Sequence, residues 1–400
     1  MKYIVILGDG MSDYPVAALG GKTPLEAARK PYMDAIASKG VSGLVKTVPD
    51  DLPPGSDVAN LSVMGYDPRE FYTGRSPLEA VSMGVALGGD DTAFRANLVT
   101  LSDGAAYEER TMLDYSAGDI STAEARVLIA DLHAALGNGF LSLYGGVAYR
   151  HLLVWHGCDA AYRLTPPHDI SGKSVAEYLP DSTIILDLMK KSNEILKNHP
   201  INSDRISKNL RAANSLWIWG QGKKPALPSF YEKYGLRGAV ISAVDLVKGI
   251  GLCAGMSAVD VAGATGNIDT NFGAKARAAL DALKTDDFVY VHIEAPDECG
   301  HRFETENKVR AIELIDEQVI RPIFDTLTKE NTAFSMLVMP DHPTPLSLGT
   351  HVHDPVPFAL YRSGDGNANA SYSEKNAARG MYIEKGHTVM DHLIGGGFHA

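Results

Sequence analysis

The chain has 400 residues, 45% of them hydrophobic and 22% charged, and 37 Lys and Arg against 49 Asp and Glu leave a formal charge of −12. This length takes two domains, or one core with a large insertion, and the deficit of positive charge argues against a nucleic-acid binder. Cys158, Cys253 and Cys299 are odd in number and widely spaced, which suits a reducing cytoplasm and no disulfide framework, and no apolar run reaches the length of a membrane span.

Residues 2–8 form an apolar, β-branched run that ends in Gly8-Asp9-Gly10, the pattern of a buried strand and its turn. The run starts directly after Met1 and leaves no room for a signal peptide, so a cytoplasmic protein is expected. Leu25, Ala28, Met33, Ile36 and Ala37 have helical spacing, interrupted by Pro31, and a short strand follows near 42–48. Pro49, Pro53 and Pro54 precede Gly55-Ser56-Asp57, so Ser56 should open a helix whose N–H groups face an anion. A strand over 94–101 begins a different unit, which continues with a helix at 121–136, a strand pair at 140–155 and a helix at 174–197. The strand 215–219 ends in the Gly- and Lys-rich seam 220–225. Beyond it, 238–242, 258–262, 287–294 and 334–339 read as buried strands, and 307–327 as a long helix that Pro322 kinks. Gly395 to Gly397 read as a flexible end.

Alternating strands and helices predict an α/β fold with a mostly parallel sheet. The N-terminal strand should join the C-terminal half, giving a core of residues 1–89 and 226–400 with 90–225 inserted as a smaller α/β lobe.

Open α/β sheets place their sites at the carboxyl ends of strands. Asp9 follows the first strand; Asp297 and His301 follow 287–294 at i,i+4 spacing, so one helical turn points both the same way. Asp341 and His342 follow 334–339 directly, and His351 and His353 precede the rigid Asp354-Pro355-Val356-Pro357. An isolated Asp after a strand is commonly a helix cap and an isolated loop His is commonly solvated. Four such segments together, with the Ser56 hydroxyl, read as a two-metal phosphoryl-transfer site. The carboxylate and imidazole mixture suits manganese or zinc, and magnesium where oxygen ligands dominate. Gly172-Lys173-Ser174 and Gly21-Lys22-Thr23 lack the upstream glycine of a P-loop and are read as turns.

The segments Gly8-Asp9-Gly10-Met11-Ser12-Asp13, Gly55-Ser56-Asp57-Val58-Ala59-Asn60, Gly74-Arg75-Ser76-Pro77-Leu78-Glu79-Ala80, Tyr149-Arg150-His151, Ala295-Pro296-Asp297-Glu298-Cys299-Gly300-His301 and Pro340-Asp341-His342 occur in that order. With them the chain resembles the archaeal-type cofactor-independent phosphoglycerate mutases of the alkaline phosphatase superfamily, along nearly its whole length. The resemblance implies an alkaline-phosphatase-like core that holds two divalent ions. It implies Asp297, His301 and His351 as ligands of one metal, and Asp9, Ser56, Asp341 and His342 as ligands of the other. It further implies Ser56 as the nucleophile that is phosphorylated and returns the group. Arg150 and His151 match substrate-binding positions, with His151 as acid/base, although a strand-surface pair is the alternative. Lys248 resembles a phosphoryl-contacting lysine, or is an ordinary surface lysine, and Arg95 is a further cation. Cys299 is read as a spacer between two ligands.

One segment departs from the family pattern. Where these mutases tend to carry an Ala-Gly-Arg-Ile arginine, this chain has Ala117-Gly118-Asp119-Ile120. An acid there reverses the local electrostatic preference and suits an ammonium group. Phosphoglycerate mutase is therefore the first expected activity and a homoserine kinase-like transferase of the same family the second, each acting on a small phosphorylated or hydroxylated metabolite. A silent metal-binding protein is the third reading.

Overall fold

The computed structural model describes residues 1–158, 161–366 and 371–395; the glycines at 396 and 397 lie outside them. The strands in chain order are β1 (Lys2–Gly8), β2 (Val41–Val45), β3 (Thr92–Leu101), β4 (Met112–Asp114), β5 (Leu141–Val147), β6 (Arg150–Trp155), β7 (Ser215–Lys223), β8 (Gly238–Ile241), β9 (Ser257–Val259), β10 (Phe288–Ile293), β11 (Phe334–Met339), β12 (Val356–Arg362) and β13 (Met381–Ile383). They form two sheets in two separate units, Met1–Tyr72 with Ala226–Ala400, and Thr73–Pro225.

The first unit carries eight strands in the order β13-β2-β12-β11-β1-β10-β8-β9. β1 lies between β10 and β11 and is parallel to both; only β12 runs against its neighbours β11 and β2. The central strands are apolar without alternation because helices cover both faces: Ile4, Val5, Ile6 and Leu7 of β1 are fully buried, as are Val289, Val291, Met336 and Val338 beside them. Three adjacent parallel strands therefore end at the same edge, and Asp9, Asp297 and Asp341 all lie within four residues of those ends.

The second unit is an antiparallel sheet built around β3, which pairs with β4 and β6 and also with β7. Its apolar face is covered by the helices Thr122–Leu136 and Thr183–Leu196, through Leu128, Ile129, Leu132, Leu188 and Met189. Ser121 starts the first of these helices with a capping box to Glu124.

Several predicted elements differ from those observed. The first junction follows Tyr72, not residue 89, because the helix Ser76–Ser82 is part of the second unit, where Arg75 and Arg95 both bind Glu79 and the Ser76 hydroxyl donates to the Gly220 carbonyl. β7 does not stop at Trp219 but runs to Lys223, since Gly222 and Lys223 still pair with β3. The helix expected from 174 starts only at Thr183, capped by Ser182 after Pro180. The strand predicted over 258–262 is the three-residue edge strand β9, whose Ser257 is exposed.

The long helix predicted over 307–327 is split. It consists of Thr305–Ile315, a π turn Asp316–Ile320 and Arg321–Lys329. Pro322 offers no N–H to the preceding turn, and the wider turn absorbs the mismatch. Asp316, at that turn, accepts the N–H groups of Tyr32 and Met33 and so caps the helix Pro31–Lys39. β12 was hidden behind Pro355 and Pro357; its first three residues pair with β2 alone, where a proline is tolerated.

Candidate functional site

The first unit brings all seven predicted ligand residues together. Asp9 leaves the end of β1, and Gly10 takes φ 60°; a Cβ at Gly10 would lie 2.6 Å from Asp297 Oδ1 and 2.7 Å from Asp297 Cα. Glycine is therefore required there by close approach as well as by conformation. Asp297 and His301 sit on the helix Ala295–His301 with their charged atoms 3.2 Å apart. His351 Nε2 is 3.4 Å from the other Asp297 oxygen and 2.9 Å from His301 Nε2.

Hydrogen bonding sets the histidine tautomers. His301 Nδ1 faces the Gly349 carbonyl at 2.9 Å and His351 Nδ1 faces the Pro54 carbonyl at 3.1 Å. Carbonyls only accept, so both rings carry their proton on Nδ1. The Thr344 hydroxyl donates to Asp297 Oδ1 and is left to accept from His342 Nδ1 at 3.3 Å. In their neutral forms all three imidazoles thus aim an Nε2 lone pair inward. Two such lone pairs 2.9 Å apart beside a carboxylate repel one another unless a positive charge lies among them. A proton can serve as that charge: the hydrogen bond that His301 Nε2 gives to the Asp297 carboxylate pushes His301 up to about 9, so a proton and a cation compete for the same lone pair.

The second group is as clear. Asp9 is 1% exposed, and its Oδ1 is buried without a hydrogen-bond partner, 3.6 Å from His342 Nε2. Burial and the charges of Asp341, Asp297 and Glu294 raise the Asp9 carboxyl well above its ordinary range. His342 Nε2 also lies 3.5 Å from Asp341 Oδ2 and accepts from the Ser56 hydroxyl at 3.1 Å. Ser56 is the first residue of the helix Ser56–Val63, after the cap Gly55. Its hydroxyl stands at a helix N-terminus, where unpaired N–H groups favour an anion. An orphaned carboxylate oxygen, inward lone pairs and crowded carboxylates together fit a divalent cation. Asp297, His301 and His351 form one ligand-capable group, and Asp9, Asp297 and His342 another.

Sequence reasoning missed the supports behind these ligands. His292 Nε2 donates to Asp9 Oδ2 at 2.8 Å, while its Nδ1 accepts from Ser242 at 3.1 Å; burial pushes His292 down to about 3, so it is a neutral donor behind Asp9. Asn60 and Tyr290 stand behind Asp341. Lys308, buried with Asp13, donates to Asp13 Oδ2 at 2.7 Å and to the Thr344 carbonyl at 2.8 Å. Tyr290 and His292 were visible only as two polar side chains on one face of an otherwise apolar strand.

Of the other predicted residues, Lys248 lies in the first unit and Arg95, Asp119, Arg150 and His151 in the second. Lys248, in the helix Asp245–Cys253 of the first unit, is paired with Asp260 at 2.8 Å and lies 3.7 Å from Asp245. Arg95 belongs to the second unit and is bound to Glu79 by two hydrogen bonds of 2.8 and 3.0 Å, its guanidinium 4.7 Å over Trp219. Burial raises the Glu79 carboxyl, but Arg95 and Arg75 outweigh it and hold Glu79 below its ordinary value. Asp119 is exposed in a turn at φ 50°, its N–H donating to Ser116 Oγ. Arg150 is exposed and lies over Tyr149 at 5.5 Å. His151 follows it on β6 and points to the opposite, buried face, so the two do not act as a pair from one surface.

His151 Nδ1 accepts from the Gly146 N–H at 3.0 Å, and burial pushes it down to about 3. It therefore stays neutral at ordinary pH, and its buried Nε2 has no hydrogen-bond partner among the described residues. The sign of the linkage follows: below pH ~6.5 the unfolded chain binds a proton that the folded chain refuses, so stability falls as pH falls from ~6.5 towards 3. Between pH 7 and pH 5, His151→Asn should lose about 2 kcal/mol less unfolding free energy than the unmodified chain. Paired denaturant titrations at the two pH values measure it; equal losses would show that His151 takes its proton normally.

The family model described as 2,3-bisphosphoglycerate-independent phosphoglycerate mutase matches residues 37–202. A 2,3-bisphosphoglycerate-independent phosphoglycerate mutase from Methanosarcina barkeri is 52% identical over 386 residues, covering 95% of this chain and 96% of that protein. Among solved structures, a Pyrococcus horikoshii protein is similar with TM-score 0.83 and 32% identity, covering 100% of this chain and 99% of the other. The cofactor-independent phosphoglycerate mutase of Thermoplasma acidophilum is similar with TM-score 0.67 and 28% identity, covering 99% of each.

Proposed function

The chain belongs to the 2,3-bisphosphoglycerate-independent phosphoglycerate mutase family, and from that premise we propose that it interconverts 2- and 3-phosphoglycerate through a phosphorylated Ser56. The observation that carries this reading is the Ser56 hydroxyl at a helix N-terminus, 3.1 Å from His342 Nε2 and among six further ligand-type side chains. Asp297, His301 and His351 would hold one divalent ion, and Asp9, Ser56, Asp341 and His342 a second. Manganese suits the mixed set, with magnesium or zinc as alternatives. Bound ions supply positive charge where the phosphoryl oxygens concentrate negative charge.

The chain's own residues account for the rest. Ser56 Oγ gives up its proton and forms the bond to phosphorus as the substrate oxygen leaves and takes up a proton; the reverse displacement by the other substrate hydroxyl restores the serine. Ser56 Oγ lies 3.1 Å from His342 Nε2, so both atoms can reach the same ion and the serine oxygen is directed at the metal. Arg150, exposed on the second unit, is the candidate cation for a substrate carboxylate; Arg95, engaged by Glu79, and Lys248, held by Asp260 and Asp245, are weaker candidates for substrate contact. The acidic Asp119 is the one feature that suits homoserine instead, and the 52% identical relative is named a mutase. We place the activity in the cytoplasm; among the described residues no helix is long and apolar enough to cross a membrane.

Incubating the purified protein with Mn²⁺ and 3-phosphoglycerate, without bisphosphoglycerate, should produce 2-phosphoglycerate, followed by coupled assay or phosphorus NMR. A parallel incubation with homoserine and nucleoside triphosphate should give nothing; phosphohomoserine there, with no phosphoglycerate turnover, would overturn the reading.

A further inference from the structure

Asn60 is completely buried, and its side-chain amide meets three groups at once. Its Nδ2 donates to the Ser56 carbonyl at 2.8 Å and to Asp341 Oδ2 at 2.9 Å. Its Oδ1 accepts from the Tyr290 hydroxyl at 2.6 Å. Tyr290 comes from the central strand β10 and is itself fully buried. The arrangement has one sense only. Asp341 Oδ2 and the Ser56 carbonyl can only accept, so the amide nitrogen must face them, and Tyr290 supplies the single donor that the amide oxygen needs. Turning the amide over would set its oxygen against a carboxylate and a carbonyl and strand the phenol.

We propose that Tyr290 and Asn60 are positioning residues that lock the nucleophile's own backbone to the ligand Asp341. Ser56 and Asp341 are 285 positions apart in the chain, on different elements, and this amide is the link that ties the Ser56 backbone to the Asp341 carboxylate. Asp341 is held from its other side by the N–H groups of Gly10, at 3.2 Å, and His342, at 2.9 Å, which together engage Oδ1. Asn60 therefore occupies Oδ2 from behind and leaves the oxygen's remaining lone pair for the space where His342 Nε2 lies 3.5 Å away. The inference rests on the roles given above to Ser56 and Asp341. What it adds is that the serine's alignment and the ligand's grip on a metal are set by the same side chain, so both should change together.

The test uses the full-length metal-free protein titrated with Mn²⁺ by calorimetry, kinetics with 3-phosphoglycerate at saturating Mn²⁺, and melting of the metal-free protein. Tyr290→Phe keeps the ring volume and removes only the donor. It should weaken Mn²⁺ binding about 10-fold and lower kcat by roughly 10- to 100-fold, with KM changed by less than about 3-fold. Asn60→Asp keeps the acceptor for Tyr290 but turns an oxygen towards Asp341 and the Ser56 carbonyl, and should exceed Tyr290→Phe in both effects. A lower melting temperature with unchanged Mn²⁺ affinity and kcat in Tyr290→Phe would make the link merely structural and overturn the proposal. If Asn60→Asp does not fold, Tyr290→Phe decides alone. Failure of the unmodified protein to act on phosphoglycerate would overturn the functional reading instead, while the Mn²⁺ titrations of variant and parent would still judge the link.

Discussion

Ser56→Ala should lower phosphoglycerate interconversion by a factor on the order of 10⁴ or more, about 5.5 kcal/mol of transition-state stabilisation, because the atom proposed to bond to phosphorus is gone. The fold should not notice. Gly55 is the cap of the helix Ser56–Val63, no side chain caps that end, and alanine favours a helix more than serine does. The Ser56 carbonyl, which Asn60 holds, is a backbone group and survives the substitution. Asp9, Asp341 and His342 also remain, so Mn²⁺ should still bind. A coupled assay and thermal melting of the same preparation check both halves. Turnover within about tenfold of the parent would remove Ser56 from the chemistry, and a lost fold would show that the hydroxyl has a structural role the contacts do not reveal.

The second large effect is expected at the buried pair Lys308–Asp13. Both side chains are 0% exposed, and the 2.7 Å ion pair is embedded in hydrogen bonds: Lys308 donates to the Thr344 carbonyl, and Asp13 accepts the Leu346 N–H. Burial lowers the Lys308 pKa, with Asp13 opposing that shift, so the charge persists only because its partner is present. Lys308→Met leaves Asp13 charged and alone in a dry site, at a cost of about 3–5 kcal/mol. Thermal melting should register it as a drop on the order of 10 °C. The double variant Lys308→Met with Asp13→Leu should recover most of that loss, because an apolar pair of similar volume replaces an ion pair without stranding a charge. Its activity should not recover with its stability: the pair also holds the segment that carries Thr344, whose hydroxyl orients both Asp297 and His342. Full recovery of activity in the double variant would show that the segment needs no such tether.

The convergence of the proposed ligands was legible in the sequence for a definite reason. Asp9, Asp297 and Asp341 each follow an apolar β-run, and parallel strands deliver the residues after them to one edge. The i,i+4 spacing of Asp297 and His301 needs only a single helical turn to become a shared direction, and the helix Ala295–His301 provides it. The relays behind the ligands were not legible, because their partners are set by packing across the sheet. Asn60 meets Tyr290 across 230 positions and Asp9 meets His292 across 283, and no local pattern announces either pairing. Adjacent residues also hid a distinction: Arg150 and His151 read as one motif, yet strand geometry sends them to opposite faces and burial deprives the histidine of its charge. The unit junction was misplaced for a similar reason, since the helix Ser76–Ser82 has no composition that marks it as part of the second unit; the guanidinium pair around Glu79 does.

The position of β1 has a consequence for the growing polypeptide on the ribosome. Its two neighbours, β10 and β11, are made 280 and more residues later, so β1 cannot pair with either until the chain has grown past residue 288. Residues 73–225 are contiguous and carry their own sheet and core, and they can complete both while β1 still waits. An apolar edge held open for that long invites pairing with other nascent chains, so slower translation of the C-terminal half should lower the yield of folded protein more than slower translation of the middle.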